Sequence, residues 1–580
     1  MPKETSKLGR RALVQTILAV GVIAAFGLTL GLAADRFADY EIDRHGQRGS
    51  VPRVEQTFPI DGDTVPANLR AVRVELFLPT TGVGADPETA TAKAVRLVDV
   101  ASGQIVASQA TVAADGASVV LTPSEPLATD RTFRIEVTNK LRDASGQRFV
   151  PFTSTFTTSD ASTLPASSVA FERAETLLQL DRSIVTALVW QPGEGESRML
   201  VAATADGRIF RYDVGPDGID ERPVVKTIPA NNGGPRLVTG LAFDPRDSSR
   251  LWVSHTQTAL TGADDFAGKL SVLSGRDFRS YEDRVVGLPR AYKDHANFDI
   301  AFDPTDPDTL FVSQGSNTGH GGRDTKWNNR PERLLTAAVL KVDVDRLPRR
   351  RPLDVRLPVE RSSPFKGGDY DPTSASAAVT VHATGIRSGY DLLWHSSGRL
   401  LVAINGGTRG GNAPALVDEA GRVTEGPVMS VPVTTPDTLA DVTQAGSYHG
   451  HPNPARGERV LMGGNPTDGD DPYEIPAYPI GTMPDPNFTM PVVNFGKGFS
   501  VNGLFESTVG ETAGLIWATR YSAGDDVVLV QVTGEPTVQT NIAGLTGLAS
   551  PLNVVEDPRT GDLFVSEADA NRLVRFKRRP

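Results

Sequence analysis

The sequence predicts an all-β protein that begins with an N-terminal transmembrane helix and continues into a small β-sandwich and a large six-bladed β-propeller. Three observations support this prediction. An uncharged run near the N-terminus is long enough to cross a bilayer, short alternating strands follow it, and one two-strand phrase then recurs to the end of the chain. We place the three parts at residues 1–35, 53–158 and 170–580.

The N-terminal run covers residues 12–34 and is preceded by four basic residues, including the pair Arg10 and Arg11. A basic flank stays in the cytoplasm, so we expect a single-pass membrane protein with both domains outside the cytoplasm, periplasmic or extracellular. The run is longer than a typical cleaved signal, but the small residues at 31–33 leave cleavage and secretion open. The arginine pair also leaves a twin-arginine export signal open.

Length, net charge and cysteine content exclude several classes of function. A chain of 580 residues is too long for one ordinary core, so more than one globular part is expected. The net charge of -11 argues against a nucleic-acid partner, because binding phosphates requires a basic surface. The absence of cysteine excludes disulfides, thiolate metal sites and cysteine nucleophiles.

The second part shows period-2 alternation in short segments separated by turn residues, as in a β-sandwich. Its opening PRVEQTFPIDGDTVPAN, its middle 121–149 and its closing FTSTFTT resemble the bacterial Ig-like domain of surface-layer and secreted proteins. That resemblance implies a spacer or a packing partner rather than a site. The predicted strands are 71–78, 94–100, 104–114, 118–124, 132–139 and 152–158.

The third part repeats an apolar strand, a turn with Pro or Gly, and a second strand of the type L-x-V-S. Repetition of this unit is typical of a propeller, whose radial arrangement leaves few free strand edges and gathers loops on one face. Long insertions near 320–380 and 408–490 interrupt the pattern. The copies are 185–214, 238–256, 298–316, 390–407, 514–532 and 552–577.

Polar residues next to these repeats are candidates for a site. His295, directly before the third repeat, can accept a proton at neutral pH, and the adjacent Asp294 can orient it or add charge. Arg387, which leads into the fourth repeat, carries a guanidinium that matches carboxylate geometry. A structural role for either residue stays open.

Two more features lie farther along the chain. Gly406 and Gly407 follow Asn405, and glycine lets backbone carbonyls approach a ligand or a calcium ion, although ordinary turn chemistry explains the pair equally well. His449 and His451 can form a polar pocket wall or contribute to a metal site, but their spacing is not diagnostic.

The order of these motifs adds information. Asp294-His295 before FDIAFDP, LTAAVLKVD at 335–343, GIRSGYDLLW with SSGRLLVAINGG, GSYHGHPNP and the ending SPLNVVEDPRTGDLFVSEADANRLVRF together resemble the soluble quinoprotein glucose dehydrogenase family, also called the glucose/sorbosone dehydrogenase family. The resemblance implies a six-bladed propeller that holds pyrroloquinoline quinone (PQQ) and Ca²⁺. It also implies a PQQ-dependent sugar (aldose) dehydrogenase that oxidises sugars or related alcohols and passes electrons to an external acceptor.

The same resemblance implies roles for individual residues. His295 corresponds to the general base that takes the hydroxyl proton as hydride passes to the quinone, and Asp294 is its neighbour. Arg387 corresponds to the residue that binds the cofactor carboxylates. Ser388, beside it in the cofactor site, stands where the family usually has Asn.

The metal and quinone contacts are implied in the same way. Gly406 and Gly407 correspond to the carbonyl donors to calcium, and Arg520 to the basic residue that a late blade supplies to the quinone. Asp437 and Asp441 are the nearest equivalents of the family's acidic cluster.

Two other readings of the sequence stay open. One is a non-catalytic, surface-anchored propeller that binds a glycan or a protein partner, which the Ig-like part and the anchor fit equally well. The other is a calcium-dependent hydrolase or lactonase, for which the acidic loop 465–471 is a candidate calcium site.

Overall fold

The computed structural model describes residues 51–579 with short gaps, so the predicted transmembrane helix lies outside the described residues. In the described part, no helix is both long enough and apolar enough to cross a bilayer. The gaps are residues 60, 67, 68, 70, 78–83, 113–115, 117, 160–168, 194–197, 217, 362, 419, 468–470 and 523.

The first described domain, here called the sandwich, consists of two sheets that enclose one apolar core. Alternating residues of each strand enter this core, as the period of a β-strand requires. Most of its strands lie within a residue or two of the predicted ones. The first sheet contains Arg53–Phe58, Val72–Phe77, Ser118–Pro123 and Ser108–Val112. The second contains Asp63–Pro66, Phe152–Ser159, Thr132–Val137, Val95–Asp99 and Ile105–Val106.

The second described domain, here called the ring, contains six sheets of at least four strands among the described residues, in a propeller-like arrangement. The sheets are numbered in chain order of their innermost strands. From the innermost strand outward they are Val185–Trp190, Arg198–Thr204, Ile209–Gly215 and Gly218–Glu221 (sheet 1); Arg236–Asp244, Asp247–Gln257, Gly268–Ser274 and Ser280–Leu288 (sheet 2); Asn297–Phe302, Thr309–Gln314, Ala338–Asp343 and Val379–Thr384 (sheet 3); Gly389–His395, Arg399–Ile404, Asp437–Asp441 and Val493–Gly496 (sheet 4); Val501–Glu506, Ile516–Arg520, Asp526–Gln531 and Thr537–Gln539 (sheet 5); and Pro551–Glu556, Leu563–Glu567, Arg572–Arg578 and Phe171–Gln179 (sheet 6).

The innermost strands contact one another in order, and sheet 6 contacts sheet 1, so the ring is closed. Apolar clusters fill the space between each pair of neighbouring sheets. Closure depends on sheet 6, where Phe171–Gln179 pairs antiparallel with Arg572–Arg578 and so joins the start of the ring to its end. This leaves no free radial edge between the first and last sheets.

The ring also contains short strands and helical turns outside the four main strands of each sheet. Leu353–Asp354 adds a parallel strand to sheet 2. The long segment between the second and third strands of sheet 4 forms two short hairpins. The hairpin strands are Asn412–Ala413, Val428–Met429, Leu416–Val417 and Val423–Glu425; the helical turns are Thr227–Asn231, Arg276–Phe278, Thr325–Trp327, Pro454–Arg456 and Gly510–Thr512.

One face of the ring gathers the candidate residues. In every sheet the first strand begins, and the second strand ends, on the same side, because adjacent strands run antiparallel. We call this side the channel face. His295 and Arg387 precede first strands, whereas Asn405 and Arg520 follow or end second strands, so all four lie on it.

Candidate functional site

A small cavity of about 20 Å³ lies on the channel face beside Arg387, and we call it the Arg387 cavity. Three of the predicted motifs, far apart in sequence, meet here. Segments around 385–387, 404–407 and 449–451 all line it, together with His320, which the sequence analysis did not single out. Its lining residues are His320, Gly385, Arg387, Ile404, Asn405, Gly406, Gly407, Thr435, Pro436, Thr438, His449, Gly450, His451, Leu461 and Met462.

His295 lies near this cavity and is 4% exposed. Its Nδ1 is 2.9 Å from the Oγ of Ser316, and that hydroxyl donates to the carbonyl of Thr318 at 2.8 Å. Nδ1 therefore carries the proton, and Nε2 carries the lone pair. Burial, reinforced by the nearby charge of Arg387, lowers the pKa of His295 well below its usual value, so the ring is neutral at pH 7.

Asp294 does not orient this imidazole. Its side chain is exposed, whereas Ser316 provides the hydrogen bond that fixes the His295 ring. The Trp327 ring packs against His295 with 4.7 Å between centroids. Beneath the loop, the fully buried Arg290 donates to the carbonyl of His295 at 2.8 Å, and burial lowers its pKa to about 10.

The segment that carries Ser316 is held by Glu332, whose side chain has no exposed surface. Its carboxylate accepts from the backbone N–H groups of Asn317 and Thr318 and from Nε2 of His451 at 3.1 Å. Although burial opposes it, hydrogen bonds from His451 and the Thr318 hydroxyl lower the pKa of Glu332. Burial lowers the pKa of His451, so a neutral imidazole donates to a charged carboxylate.

His320 packs so close to Gly407 that only glycine fits at that position. Its Nε2 donates to the carbonyl of Thr408 at 2.8 Å, and its buried Nδ1 has no hydrogen-bond partner within the described protein. Burial lowers its pKa to about 3. A Cβ at position 407 would lie 2.2 Å from the His320 ring, so Gly407 is needed for packing.

The other glycine also has a packing explanation. A Cβ at Gly406 would lie 2.1 Å from the carbonyl oxygen of Thr435. The Gly406 N–H donates to the buried carboxylate of Asp437 at 2.7 Å, and burial raises the pKa of Asp437 to about 6. The carbonyl of Gly407 accepts from the N–H of Thr435 at 2.9 Å. The glycine pair therefore closes a turn.

Arg387 is half-buried and donates to the carbonyls of Gly319 at 3.1 Å and Asn405 at 3.3 Å. Ser388 is buried, and its carbonyl accepts from the N–H of Asn405 at 2.9 Å. The Oδ1 of Asn405 is buried without a hydrogen-bond partner in the described protein. Arg387 and the orphaned amide oxygen form the polar core of the cavity.

Arg520 does not line the Arg387 cavity. Its guanidinium pairs with Asp526 at 2.7 Å and 2.5 Å and lies over the Phe499 ring at 4.4 Å. The Arg520 guanidinium is thus held by residues in and next to sheet 5.

This arrangement does not fit PQQ with calcium. A cavity of about 20 Å³ has room for roughly one water, not a three-ring quinone. The backbone groups of Gly406 and Gly407 described above bind protein partners, as does Arg520. Within residues 51–579 as described, no three His, Asp or Glu side chains converge to hold a metal ion. Part of the candidate calcium loop 465–471 lies outside the described residues.

A larger space of about 460 Å³, here called the Asn329 groove, lies next to this site on the insertion of sheet 3. The sequence predicts an insertion here but no site residues within it. Its lining residues are Asp265, Arg323, Asn328, Asn329, Arg330, Pro331, Glu332, Arg333, Leu334, Leu357, Pro358, Glu360, Ser363, Pro364, Phe365 and Ala455.

Two of the three arginines that line the groove are paired with carboxylates. Arg333 pairs with Asp265, and Arg323 pairs with Glu360. Arg330 donates to the carbonyl of Arg290 at 2.6 Å. The buried carboxylate of Glu332, the third acidic residue of the lining, is bound instead by the segment at 317–318 and by His451.

Side chains suited to a polar ligand stand at the rim. Asn328 and Asn329 are exposed, and both have left-handed backbones with φ of 54° and 53°. Asn tolerates this conformation better than most residues, so the loop tip is held in a defined turn. Phe365 packs on the guanidinium of Arg330 at 4.9 Å and forms an apolar wall.

Comparison with known proteins identifies one part of the chain. Residues 49–158 match the family of the bacterial Ig-like domain (Big_5). No curated protein sequence matches the chain.

Solved structures give distant similarities. A glucose dehydrogenase is 14% identical with a TM-score of 0.44 and coverage of 70% of this chain and 98% of its own. The PQQ-bound aldose sugar dehydrogenase from Streptomyces coelicolor is 14% identical, with a TM-score of 0.41 and coverage of 72% and 100%. An auxiliary nutrient binding protein from Bacteroides ovatus is 9% identical, with a TM-score of 0.34 and coverage of 92% and 100%. Similarities this distant decide nothing about function.

Proposed function

We propose that the ring is a binding domain for an uncharged saccharide, and that the Asn329 groove is its binding site. The observation behind this proposal is the groove itself, whose volume of about 460 Å³ suits a small ligand. A neutral, hydroxylated ligand suits a groove in which Arg323 and Arg333 are already paired with carboxylates.

The rim supplies suitable chemistry. The side-chain amides of Asn328 and Asn329 each provide donors and an acceptor, which suits adjacent hydroxyls. Phe365 provides a wall against which the C–H face of a sugar ring packs, as in ligand pockets with aromatic linings. Preorganisation supports affinity, because the left-handed turn at 328–329 fixes the backbone that carries the two amides.

A glycan microarray with the full chain, followed by isothermal titration of the hits, tests this proposal. Asn329→Asp keeps the size and the tolerance for a left-handed backbone but removes the amide donors, so we expect affinity to fall at least tenfold, or about 1.4 kcal/mol. Asn541→Asp is the matched control, because Asn541 also has a positive φ of 57° but does not line the groove. Equal loss in both variants, or no hit, would overturn the proposal.

A second candidate function is PQQ-dependent oxidation of sugars or related alcohols, with an external electron acceptor. The observation that favours it is the neutral His295, whose Nε2 lone pair is suited to accept a hydroxyl proton. The loops at the Arg387 cavity would have to open for this function. Tight binding of PQQ with Ca²⁺ that is lost in Arg387→Ala would support it, with His295→Ala as the inactive enzyme control.

We also propose that residues 12–34 anchor the chain in the cell membrane and place both domains outside the cytoplasm. The uncharged length and the preceding basic residues support this proposal. Fractionation of cells that express the full chain tests it. A membrane pellet is expected for an uncleaved anchor, and release into the medium or periplasm for a cleaved one.

A further inference from the structure

Arg73 lies on the outer face of the sandwich and is nevertheless covered. In strand Val72–Phe77, the neighbours Val72 and Val74 are fully buried in the sandwich core. Successive side chains of a strand point to opposite faces, so Arg73 points away from that core. It is only 7% exposed, and therefore another part of the molecule covers it.

The covering part is the ring. A terminal nitrogen of Arg73 donates to Ser550 Oγ at 3.0 Å and to Asp569 Oδ2 at 3.1 Å. Its guanidinium also lies over the Tyr521 ring, with 5.0 Å from Cζ to the centroid. Ser550 in turn donates to Asp569 at 2.8 Å, so the two side chains that accept from Arg73 hold each other in position. We call Tyr521, Ser550 and Asp569 the arginine socket.

The socket is on the channel face. Tyr521 and Asp569 follow second strands of sheets 5 and 6, and Ser550 precedes a first strand, as Arg387 does in sheet 4. Ser550 has a left-handed backbone with φ of 53°, which is uncommon for serine and marks a specialised turn. The sandwich therefore contacts the same side of the ring as the candidate site.

Charge favours this contact. Asp525, next to the socket, is a half-buried acidic side chain, and Arg520 already neutralises Asp526. Burial raises the pKa of Asp525 well above its usual value, and Arg73 opposes that rise. Arg73 thus supplies positive charge beside two neighbouring acidic side chains, Asp525 and Asp569.

We infer that the sandwich is docked on the ring through Arg73 and covers the sheet 5 and 6 sector of the channel face, rather than serving as a spacer. Residues 50–580 form one compact unit, as a docked domain requires. This inference is independent of the proposed ligand.

Distance measurements between the two domains test the inference in the full chain. The protein has no cysteine, so Glu88→Cys on the sandwich and Glu535→Cys on sheet 5, both exposed, accept one spin label each. Pulsed electron paramagnetic resonance should give a single narrow distance distribution. Arg73→Ala should broaden that distribution at least twofold, and Asp569→Asn should broaden it from the ring side.

Arg131→Ala is the matched control. Arg131 also pairs with a carboxylate of the sandwich, Asp99 at 2.8 Å, but makes no contact with the ring in the described structure. Its distribution should stay as narrow as that of the unchanged chain. If Arg73→Ala does not fold, Asp569→Asn decides alone. A broad distribution in the unchanged chain, or narrow distributions in both Arg73→Ala and Asp569→Asn, would overturn the inference.

Discussion

Closure of the ring depends on a buried carboxylate, Glu567, and its removal should destabilise the protein measurably. Glu567 accepts two hydrogen bonds from Arg173, on the strand that starts the ring, at 2.8 Å and 2.9 Å. It also accepts from Arg572 at 2.6 Å and from the backbone N–H of Ala549 at 2.9 Å. One side chain at the end of the second strand of sheet 6 thus binds the two outer strands of that sheet, which hold the start and the end of the ring.

The size of the expected destabilisation follows from the shifted pKa of Glu567. Although burial opposes it, hydrogen bonds from Arg173 and Arg572 lower the pKa of Glu567 from 4.5 to about 2. A shift of this size corresponds to about 3 kcal/mol of folding free energy. The pKa is lower in the folded state, so this contribution is present above about pH 4.5 and is lost as the pH falls towards 2.

Glu567→Gln should therefore lower the melting temperature at pH 7 by about 3–4 °C for a ring of this size. Scanning calorimetry between pH 2 and 8 provides the measurement. Glu172→Gln is the matched control on the closing strand, because Glu172 is 56% exposed and lies 3.6 Å from Arg579. Equal melting temperatures for Glu567→Gln and Glu172→Gln, or a deficit of Glu567→Gln that persists unchanged at pH 2, would rule out this role for the buried carboxylate.

Two further predictions concern the ring centre and the cavity. Asp299→Asn should stabilise the protein at pH 8, because burial and the adjacent Asp391 raise the pKa of Asp299 well above its usual value. The favourable protonated state is lost as the pH rises, so the advantage in melting temperature should vanish below about pH 4. Gly407→Ala should cost about 1–3 kcal/mol, since its Cβ would overlap the His320 ring, whereas Gly426→Ala, with open space around it, should be neutral in the same melting assay.

Much of the fold was accessible from sequence because local periodicity determines it. The repeat at 298–316 anticipates strands Asn297–Phe302 and Thr309–Gln314, since apolar residues alternate and Asp-Pro turns separate them. The pairing of Phe171–Gln179 with the last sheet was not predicted, because it joins residues about 400 positions apart. Such a contact has no local signature.

The site was only partly predictable for a similar reason. The motifs around Arg387, Asn405 and His451 do meet at one cavity, as their places beside the repeats indicated. Ser316 and Glu332 were missed, because their roles depend on partners that only the fold brings near. The sequence does contain one hint of the role of His320, because glycines flank it in the stretch 319–322. The contact of Arg73 with the ring could not be predicted, because strand alternation places Arg73 on the outer face of the sandwich but does not show what covers it.

Hydrogen exchange of the full chain with a saccharide hit, followed by mass spectrometry, shows whether the Asn329 groove is the saccharide site. We expect the saccharide to protect backbone amides at 323–331 and 356–365, beside the groove, and to leave 385–407 unchanged. Protection centred on 385–407 instead, and appearing only when PQQ and Ca²⁺ are present, would rule out the groove as the site and favour the dehydrogenase.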